Sequence, residues 1–378
     1  MLKGMETERA YWVAWSQIPG IGPILIRRIQ DYFGSLAIAW AAAGGDLLAV
    51  EGLGLQLVDT ILRQRQAIAP AALLEQHEKA NPQFWTLADP EYPRLLLELP
   101  DPPPILYYRG TALASELAGT APLVAIVGTR SPSDYGRLYT QRLTKVLVQN
   151  GYTIVSGLAE GIDTVAHRSC VETQGRTIAV LGCGVDIVYP WSNRGLYRQI
   201  LETGLIVSEY PAGTQPDRTH FPRRNRIIAG LARATLVMEA PAKSGGLITA
   251  HYANDYKRAV YALPGQLDNP KALGCLNLIE AGAAKIILEH TLLAKLGMQA
   301  EAPASSLPQA ALPLDLAPHL AALLTTMTEL ASGDKGAIAF DQLVQTTQRP
   351  ANEISSALLE LELMGLVTQL PGMRYQRL

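Results

Sequence analysis

What most constrains this chain is an alternation that runs from about residue 84 to 290: a short β-branched run, a glycine loop, a helical stretch, and then the same again. The runs are PLVAIV (122–127), YTIVS (152–156), TIAVL (177–181), LIVSE (205–209), TLVME (235–239), VYALP (260–264) and AKIIL (284–288). Parallel strands need a long crossover, usually a helix, so units of this length predict an α/β fold with a doubly wound parallel sheet. Ahead of the first unit, the segment from FWTLADPEYP to PPPILYYRG predicts an added edge strand and a Pro-rich connection.

Two regions flank the alternation. Residues 10 to 75 read as helical and carry two similar turns, IPGIGPILIRRI (18–29) and VEGLGLQLVDTIL (50–62). Each sets Gly-apolar-Gly between helical segments, where glycine permits a tight hairpin and can leave amides pointing outward at the second helix's start. The pair resembles helix-hairpin-helix units that grip phosphates; it is equally a packing device, and spacing alone does not choose. After QAEAPASSLPQAALP (299–313), a linker by composition, residues 317–378 read as three helices and a hairpin, an order that resembles a winged helix-turn-helix. The expected organisation is a helical domain over 1–76, the sheet domain over 77–292, a linker over 293–316 and the winged helix over 317–378.

A length of 378 residues suits two or three domains, and 48% hydrophobic residues suit a globular class. Charged residues are sparse at 17% and the net charge is −2, so binding a polyanion requires a focused patch. Cys170, Cys183 and Cys275 are too scattered for a disulfide framework or a metal knuckle and favour a reducing compartment. The start MLKGMETERA lacks the apolar stretch of a signal peptide, and no run of 18 apolar residues occurs. A soluble cytoplasmic protein without a membrane partner is expected.

In a doubly wound sheet the loops after the strands emerge at one rim, where ligands bind. Here they are VGTR, SGLAEGID, LGCG and EAPAKSGG. Cations gather there: Arg130 in the first loop, Arg223, Arg224 and Arg226 in HFPRRNRIIAGL (220–231) ahead of an apolar helical run, and Lys243 in the last loop. Arginines at a helix N-terminus oppose its dipole by about 0.3–1 kcal/mol each, and an external anion relieves that conflict. The structural alternative is that Arg224 or Arg226 pairs with Glu209 or Glu239. Neither GxGxxG after the first strand nor GxxxxGK[ST] occurs, so dinucleotide or triphosphate chemistry has no support and no cofactor is expected. Phosphate-compatible loops spread along a rim suit a polymer backbone. Tyr189, Trp191, Tyr210 and Phe221 lie on the same rim, Phe221 being the foremost candidate to stack a base.

Catalysis is not expected. Ser156, Asp163 and His167 invite a triad, but Asp163 and His167 sit four apart on one helix, and Asp163 suits the helix start. No metal set is visible among 6 His and 3 Cys. In the C-terminal region the would-be recognition helix ANEISSALLELELM holds Glu353, Glu360 and Glu362 without Lys or Arg, which disfavours a regulator that reads duplex DNA.

Seven motifs in order, VGTR (127–130), SGLAEGIDTVAH (156–167), TIAVLGCGVDIVYP (177–190), SEYPAG (208–213), FPRRNRIIAGL (221–231), EAPAKSGGLITA (239–250) and LPG (263–265), resemble the DNA-processing protein A (DprA/Smf) family. That resemblance implies an extended Rossmann-like domain that binds single-stranded DNA, protects incoming strands in natural transformation and helps load the RecA recombinase, as a homodimer without catalysis. By position it implies strand contacts at Gly128, Thr129, Arg130, Ser156, Gly157, Arg224, Asn225, Arg226, Lys243, Ser244 and Gly245, with Phe221 and Arg223 beside them. The loop YPWSN (189–193) lacks the lysine some members place after its proline, a gap Arg218 can fill. GCLNLI (274–279) puts Asn277 one place later than usual, in a region where Leu278 and Ile279 match the self-association surface. The competing reading is a nucleotide-processing, phosphoribohydrolase-like enzyme, although its PGGxGT loop is absent and EAPAKSGGLIT only approximates it.

Overall fold

Among the described residues nine strands form one sheet in the order β1-β2-β6-β5-β4-β3-β7-β8-β9. They are β1 Phe84–Thr86, β2 Ile105–Gly110, β3 Leu123–Val127, β4 Thr153–Ser156, β5 Thr177–Leu181, β6 Leu205–Ser208, β7 Ala234–Val237, β8 Ala259–Ala262 and β9 Lys285–Ile286. The computed structural model describes residues 2–81, 83–297, 317–330, 338–363, 366–370 and 372–377. All seven predicted runs are strands and pair in parallel. The segment ahead of them supplies two strands where one was expected: β2 runs antiparallel to β6, with Tyr107 opposite Ser208, and β1 closes the edge.

Chain direction makes the crevice. From β3 the chain steps through β4 and β5 to β6, then crosses back to place β7 on the free side of β3. Beyond the carboxyl ends of β3 and β7 the crossovers diverge, which opens a cleft there.

Alternation along the strands assigns the two faces. Leu123, Ala125 and Val127 of β3 join one core with Ile227, Ile228 and Ala250, while Val124 and Ile126 join the other with Leu143, Leu147 and Ala166. The helices before the sheet units are α1 Leu2–Ser16, α2 Pro23–Phe33, α3 Leu36–Ala41, α4 Gly44–Leu47, α5 Leu55–Ala67, α6 Pro70–Ala80, α7 Arg94–Leu97 and α8 Ala114–Leu117. Those between and after the strands are α9 Asp134–Gln149, α10 Ile162–Glu172, α11 Arg194–Thr203, α12 His220–Leu231, α13 Gly245–Asp255, α14 Leu273–Glu280 and α15 Glu289–Leu296.

The two N-terminal turns form a true internal repeat at an offset of 32 residues, Gly20 and Gly22 matching Gly52 and Gly54. Gly20 (φ +86°) and Gly52 (φ +92°) hold the left-handed conformation that favours glycine, so each hairpin reverses in the same way. The halves pack reciprocally: a Cβ on Gly20 would stand 3.0 Å from Leu57, and one on Gly52 would stand 2.9 Å from Leu25. The helices dock on the sheet's antiparallel edge, where Val13 enters the core of Phe84, Ile105 and Tyr107 and Arg9 donates to the Phe84 carbonyl at 2.9 Å.

The second compact unit, Ser305–Leu378, is described on its own. It contains α16 Pro318–Leu330, β10 Ile338–Ala339, α17 Phe340–Thr347, α18 Ala351–Leu363, β11 Val367–Leu370 and β12 Arg374–Arg377, in a sheet ordered β10-β12-β11. Leu320, Leu323, Met327, Leu343, Leu358 and Val367 fill its core, giving a winged helix. On α18, Glu353 and Glu360 are exposed, so this face stays acidic. The segment 299–313, read as a linker, lies outside the described residues, and the 293–316 span expected for it overlaps the end of α15.

Candidate nucleic-acid interface

The crevice at the crossover is a groove of about 650 Å³, lined by Gly128, Thr129 and Arg130 after β3, Arg218, Phe221 and Arg224 before and within α12, and Lys243, Ser244 and Gly245 after β7. Its shape begins with Glu239 at the end of β7. This buried carboxylate accepts from the Ser133 amide and hydroxyl, both at 2.7 Å, and from Asn269 at 3.2 Å. It therefore fills the N-terminal end of α9 with a protein anion. Among the described residues Glu239 pairs with no arginine, contrary to one structural alternative, and its backbone oxygen accepts from the Thr129 amide at 2.7 Å. Gly128 is required by close approach: a Cβ there would lie 2.6 Å from Ile162 and 2.7 Å from the Glu239 carbonyl.

The arginines of α12 divide by helical position. The helix starts at His220, earlier than the sequence pattern predicts, so Arg223, Arg224 and Arg226 lie within it. Arg223 is exposed. Arg224 is 4% exposed, and Nη1 donates to the Gly157 carbonyl at 2.7 Å and also to the Val180 carbonyl, bridging the ends of β4 and β5. Burial lowers its pKa from the usual guanidinium value, against the pull of neighbouring Asp163. Gly157 makes room for it, since a Cβ there would stand 2.5 Å from the guanidinium.

Arg226 is a correction to the expected strand contacts. It is 5% exposed and turns inward onto Asp101 (2.9 Å) and Glu209 (2.8 Å), because two positions along a helix rotate a side chain to the opposite face. The pairing with Glu209 is the structural alternative weighed for this residue, and Asp101 is a partner the strand pattern did not indicate.

Ser156 and Gly157 are also corrected. Ser156 is fully buried and donates its hydroxyl to the Ile126 carbonyl at 2.6 Å, while the Gly157 amide donates to Asp163 at 3.1 Å. The second loop is thus the floor of the groove and not a row of free donors. Asp163 also accepts from Ala159 at 3.4 Å, and burial raises its pKa against the opposing pull of Arg224. His167 shares 2.7 Å with Thr177, whose hydroxyl donates to the Ile154 carbonyl, so His167 Nδ1 is the donor. Burial, aided by the Arg224 charge, pushes its pKa down to about 3. Ser156 lies within reach of Asp163, but its hydroxyl is donated to Ile126 and His167 Nδ1 is given to Thr177, so the histidine does not link serine to aspartate and no triad is assembled.

Four cations remain for an external anion. Arg130, Arg218, Arg223 and Lys243 are exposed and make no ion pair among the described residues. At the mouth of α13, Ser244 caps the Gly246 amide, and Asn225 donates to the Gly245 carbonyl at 3.1 Å, tying α12 to this loop. Aromatic surface adjoins the cations: Phe221 stacks on Tyr189 at 5.3 Å, and the Arg130 guanidinium lies 5.5 Å from the Phe221 ring. A smaller cleft of about 60 Å³ opens among Arg130, Glu160, Tyr189, Pro190 and Phe221. Glu160 is an acid at this mouth that a reading for cations misses, although it stands within the loop SGLAEGID.

Of the two residues matched to self-association, Leu278 is corrected: it is 6% exposed and packs in the chain's own core, with Ile279 half-buried against that core. Among the described residues no helix is long and apolar enough to cross a membrane, and no group of His, Cys, Asp and Glu could hold a metal ion.

Comparison with known proteins agrees with this architecture. Residues 83–296 match the family described as DNA recombination-mediator protein A, and residues 307–373 match the DprA winged helix domain. Protein Smf of Synechocystis sp. is 47% identical over 98% of this chain and 99% of its own length. The crystal structure of DNA processing protein A from Streptococcus pneumoniae superposes with a TM-score of 0.65 at 34% identity, covering 75% of this chain and 96% of that one. DNA processing protein A from Helicobacter pylori, solved for its single-stranded DNA binding mode, gives a TM-score of 0.50 at 33% identity over 56% of this chain and 97% of that one. The chain belongs to the DNA recombination-mediator protein A family.

Proposed function

We propose that this protein binds single-stranded DNA along the carboxyl rim of its sheet, shelters strands taken up in natural transformation, and passes them to the RecA recombinase. It acts as a homodimer, in the cytoplasm, and by binding without turnover. The observation that carries this reading is the set of exposed groove cations without carboxylate partners, Arg130, Arg218 and Lys243, beside the Tyr189–Phe221 stack, with exposed Arg223 on the adjoining helix α12. Cations along a groove with aromatic platforms suit a flexible strand whose bases are unpaired. The binding mode described for the Helicobacter pylori relative supports the same choice of ligand.

A gel shift with a short oligonucleotide tests it. Single strands bind tightly and duplex binds weakly, with a log-log salt slope of about −0.7 for each phosphate contacted. Arg130→Ala and Lys243→Ala each weaken binding irrespective of sequence and make that slope shallower. Unchanged affinity in both variants would refute the site, and release of base from a nucleoside monophosphate would replace binding with the phosphoribohydrolase-like reading. A RecA-loading assay and the mass in solution test the partner and the dimer.

A further inference from the structure

We propose that Trp191, backed by Arg194, is a base-stacking platform that extends the groove past Phe221 toward the start of α11; this rests on the single-stranded DNA reading above. Trp191 is 68% exposed, whereas Trp12, Trp15 and Trp85 are buried and Trp40 is half-buried. Leaving so large a ring in water forgoes burial worth more than almost any other side chain offers, and a contact made on binding recovers it.

The ring is held ready by its neighbours. The turn Trp191–Asn193 is pinned by buried Asn193, which donates to the Leu158 carbonyl at 2.9 Å and to the Thr164 hydroxyl at 2.8 Å. Arg194 places its guanidinium 4.9 Å from the Trp191 ring and has no acid partner among the described residues. That covers one face of the indole with a cation and leaves the other to solvent. Pro190, the preceding residue, lines the small cleft with Tyr189 and Phe221, so the platform continues the aromatic side of the groove.

Charge tells which part of a strand fits here. Ser192 donates to the Glu160 carboxylate at 3.4 Å, and Asp186 is exposed in the same crossover. Carboxylates repel phosphate but tolerate a base plane, and a cation beside them, Arg194, is laid over the indole. This end of the rim therefore takes bases, and the Lys243 end takes backbone.

The test titrates the full chain with fluorescein-labelled oligothymidylate, following anisotropy of the label and, with unlabelled strand, intrinsic tryptophan fluorescence. Binding should quench the tryptophan emission. Trp191→Phe keeps affinity and loses the quench; Trp191→Ala binds about fivefold more weakly, yet binds an abasic strand of the same length as the wild type does. Arg194→Gln gives a smaller loss. If anisotropy reports binding while emission is unchanged and Trp191→Ala binds like wild type, the platform is overturned and the groove stands. If anisotropy reports no binding by any form, the groove reading itself falls and the platform with it.

Discussion

Two places in this molecule turn a glycine loop into the start of a helix: the carboxyl rim of the sheet and the paired N-terminal hairpins. At the hairpins, α2 and α5 begin after Gly22 and Gly54 without any side-chain cap. At the rim, α13 begins after Ser244, which caps it. At the rim α10 and α12 also begin without a side-chain cap, so uncapped amides are common to both places. Free cations are not. Arg28 reaches the Glu51 carbonyl at 3.1 Å and its carboxylate at 3.6 Å, Arg27 donates to the Leu99 carbonyl at 2.7 Å, and the exposed residues around the turns include Ile24, Leu55 and Glu51. The rim keeps Arg130, Arg218, Arg223 and Lys243 without acid partners. A helix N-terminus supplies a fraction of a charge, screened within a turn, so what separates the two places is the presence of whole charges with nowhere else to go.

The sharpest way to break that distinction is to treat all rim arginines as equivalent. Arg226→Ala strands the carboxylates of Asp101 and Glu209 beside a buried gap, and removing one partner of a buried pair costs about 3–5 kcal/mol. Arg223→Ala, exposed on the same helix, should stay within about 0.5 kcal/mol. Urea unfolding of both variants checks this; equal losses would put Arg226 back among free cations.

Glycines give the next largest contrast. Gly128→Ala drives a Cβ to 2.6 Å from Ile162 and 2.7 Å from the Glu239 carbonyl, one of them backbone that cannot yield. Overpacking of this kind costs about 1–3 kcal/mol, read as a lowered midpoint in the same unfolding experiment. Tolerance of alanine at Gly128 would mean that the loop can move aside, and with it Arg130.

Acid probes the floor of the groove. The folded-state pKa of His167, about 3, lies below its ordinary 6.5, so folding favours the neutral ring. Its contribution is complete above pH 6.5 and declines as pH falls toward 3, by about 1.4 kcal/mol for each unit. Asp163 works in the opposite sense: its raised pKa means that protonation as pH falls toward 3.8 favours the folded state and offsets part of the loss. Between pH 7.5 and 5.5 the wild type should lose stability that His167→Asn does not lose, measured as the difference in unfolding free energy at the two pH values.

How much of this was legible is instructive in its unevenness. The strands were, because continuous β-branched runs such as TIAVL have one stable home, a sheet covered on both faces. The rim was, because parallel order forces every following loop to one edge. Which arginines face a ligand was not, because the helix exposes Arg223 and buries Arg224 and Arg226, while the string RRNR shows them as one cluster. Asp101 and the Gly157 and Val180 carbonyls, the groups that hold Arg226 and Arg224, are also distant in sequence from α12. Ser156 failed for a related reason: a serine that ends a buried strand finds a backbone carbonyl before it finds solvent.

The smallest effect returns to the hairpins. Gly22 (φ −100°) and Gly54 (φ −88°) hold ordinary extended backbone, and a Cβ on either would meet no atom within 4 Å. Serine fits both positions and would supply the missing cap, stabilising α2 and α5 by a few tenths of a kcal/mol each. If the hairpins only pack, Gly22→Ser with Gly54→Ser raises the melting temperature slightly and leaves single-strand and duplex affinity alone. If they hold phosphates, the new hydroxyls compete for those amides and DNA affinity drops. The exposed Glu51 carboxylate and the engaged Arg28 favour the first result, since an anion brought to these amides would meet a like charge and no free cation.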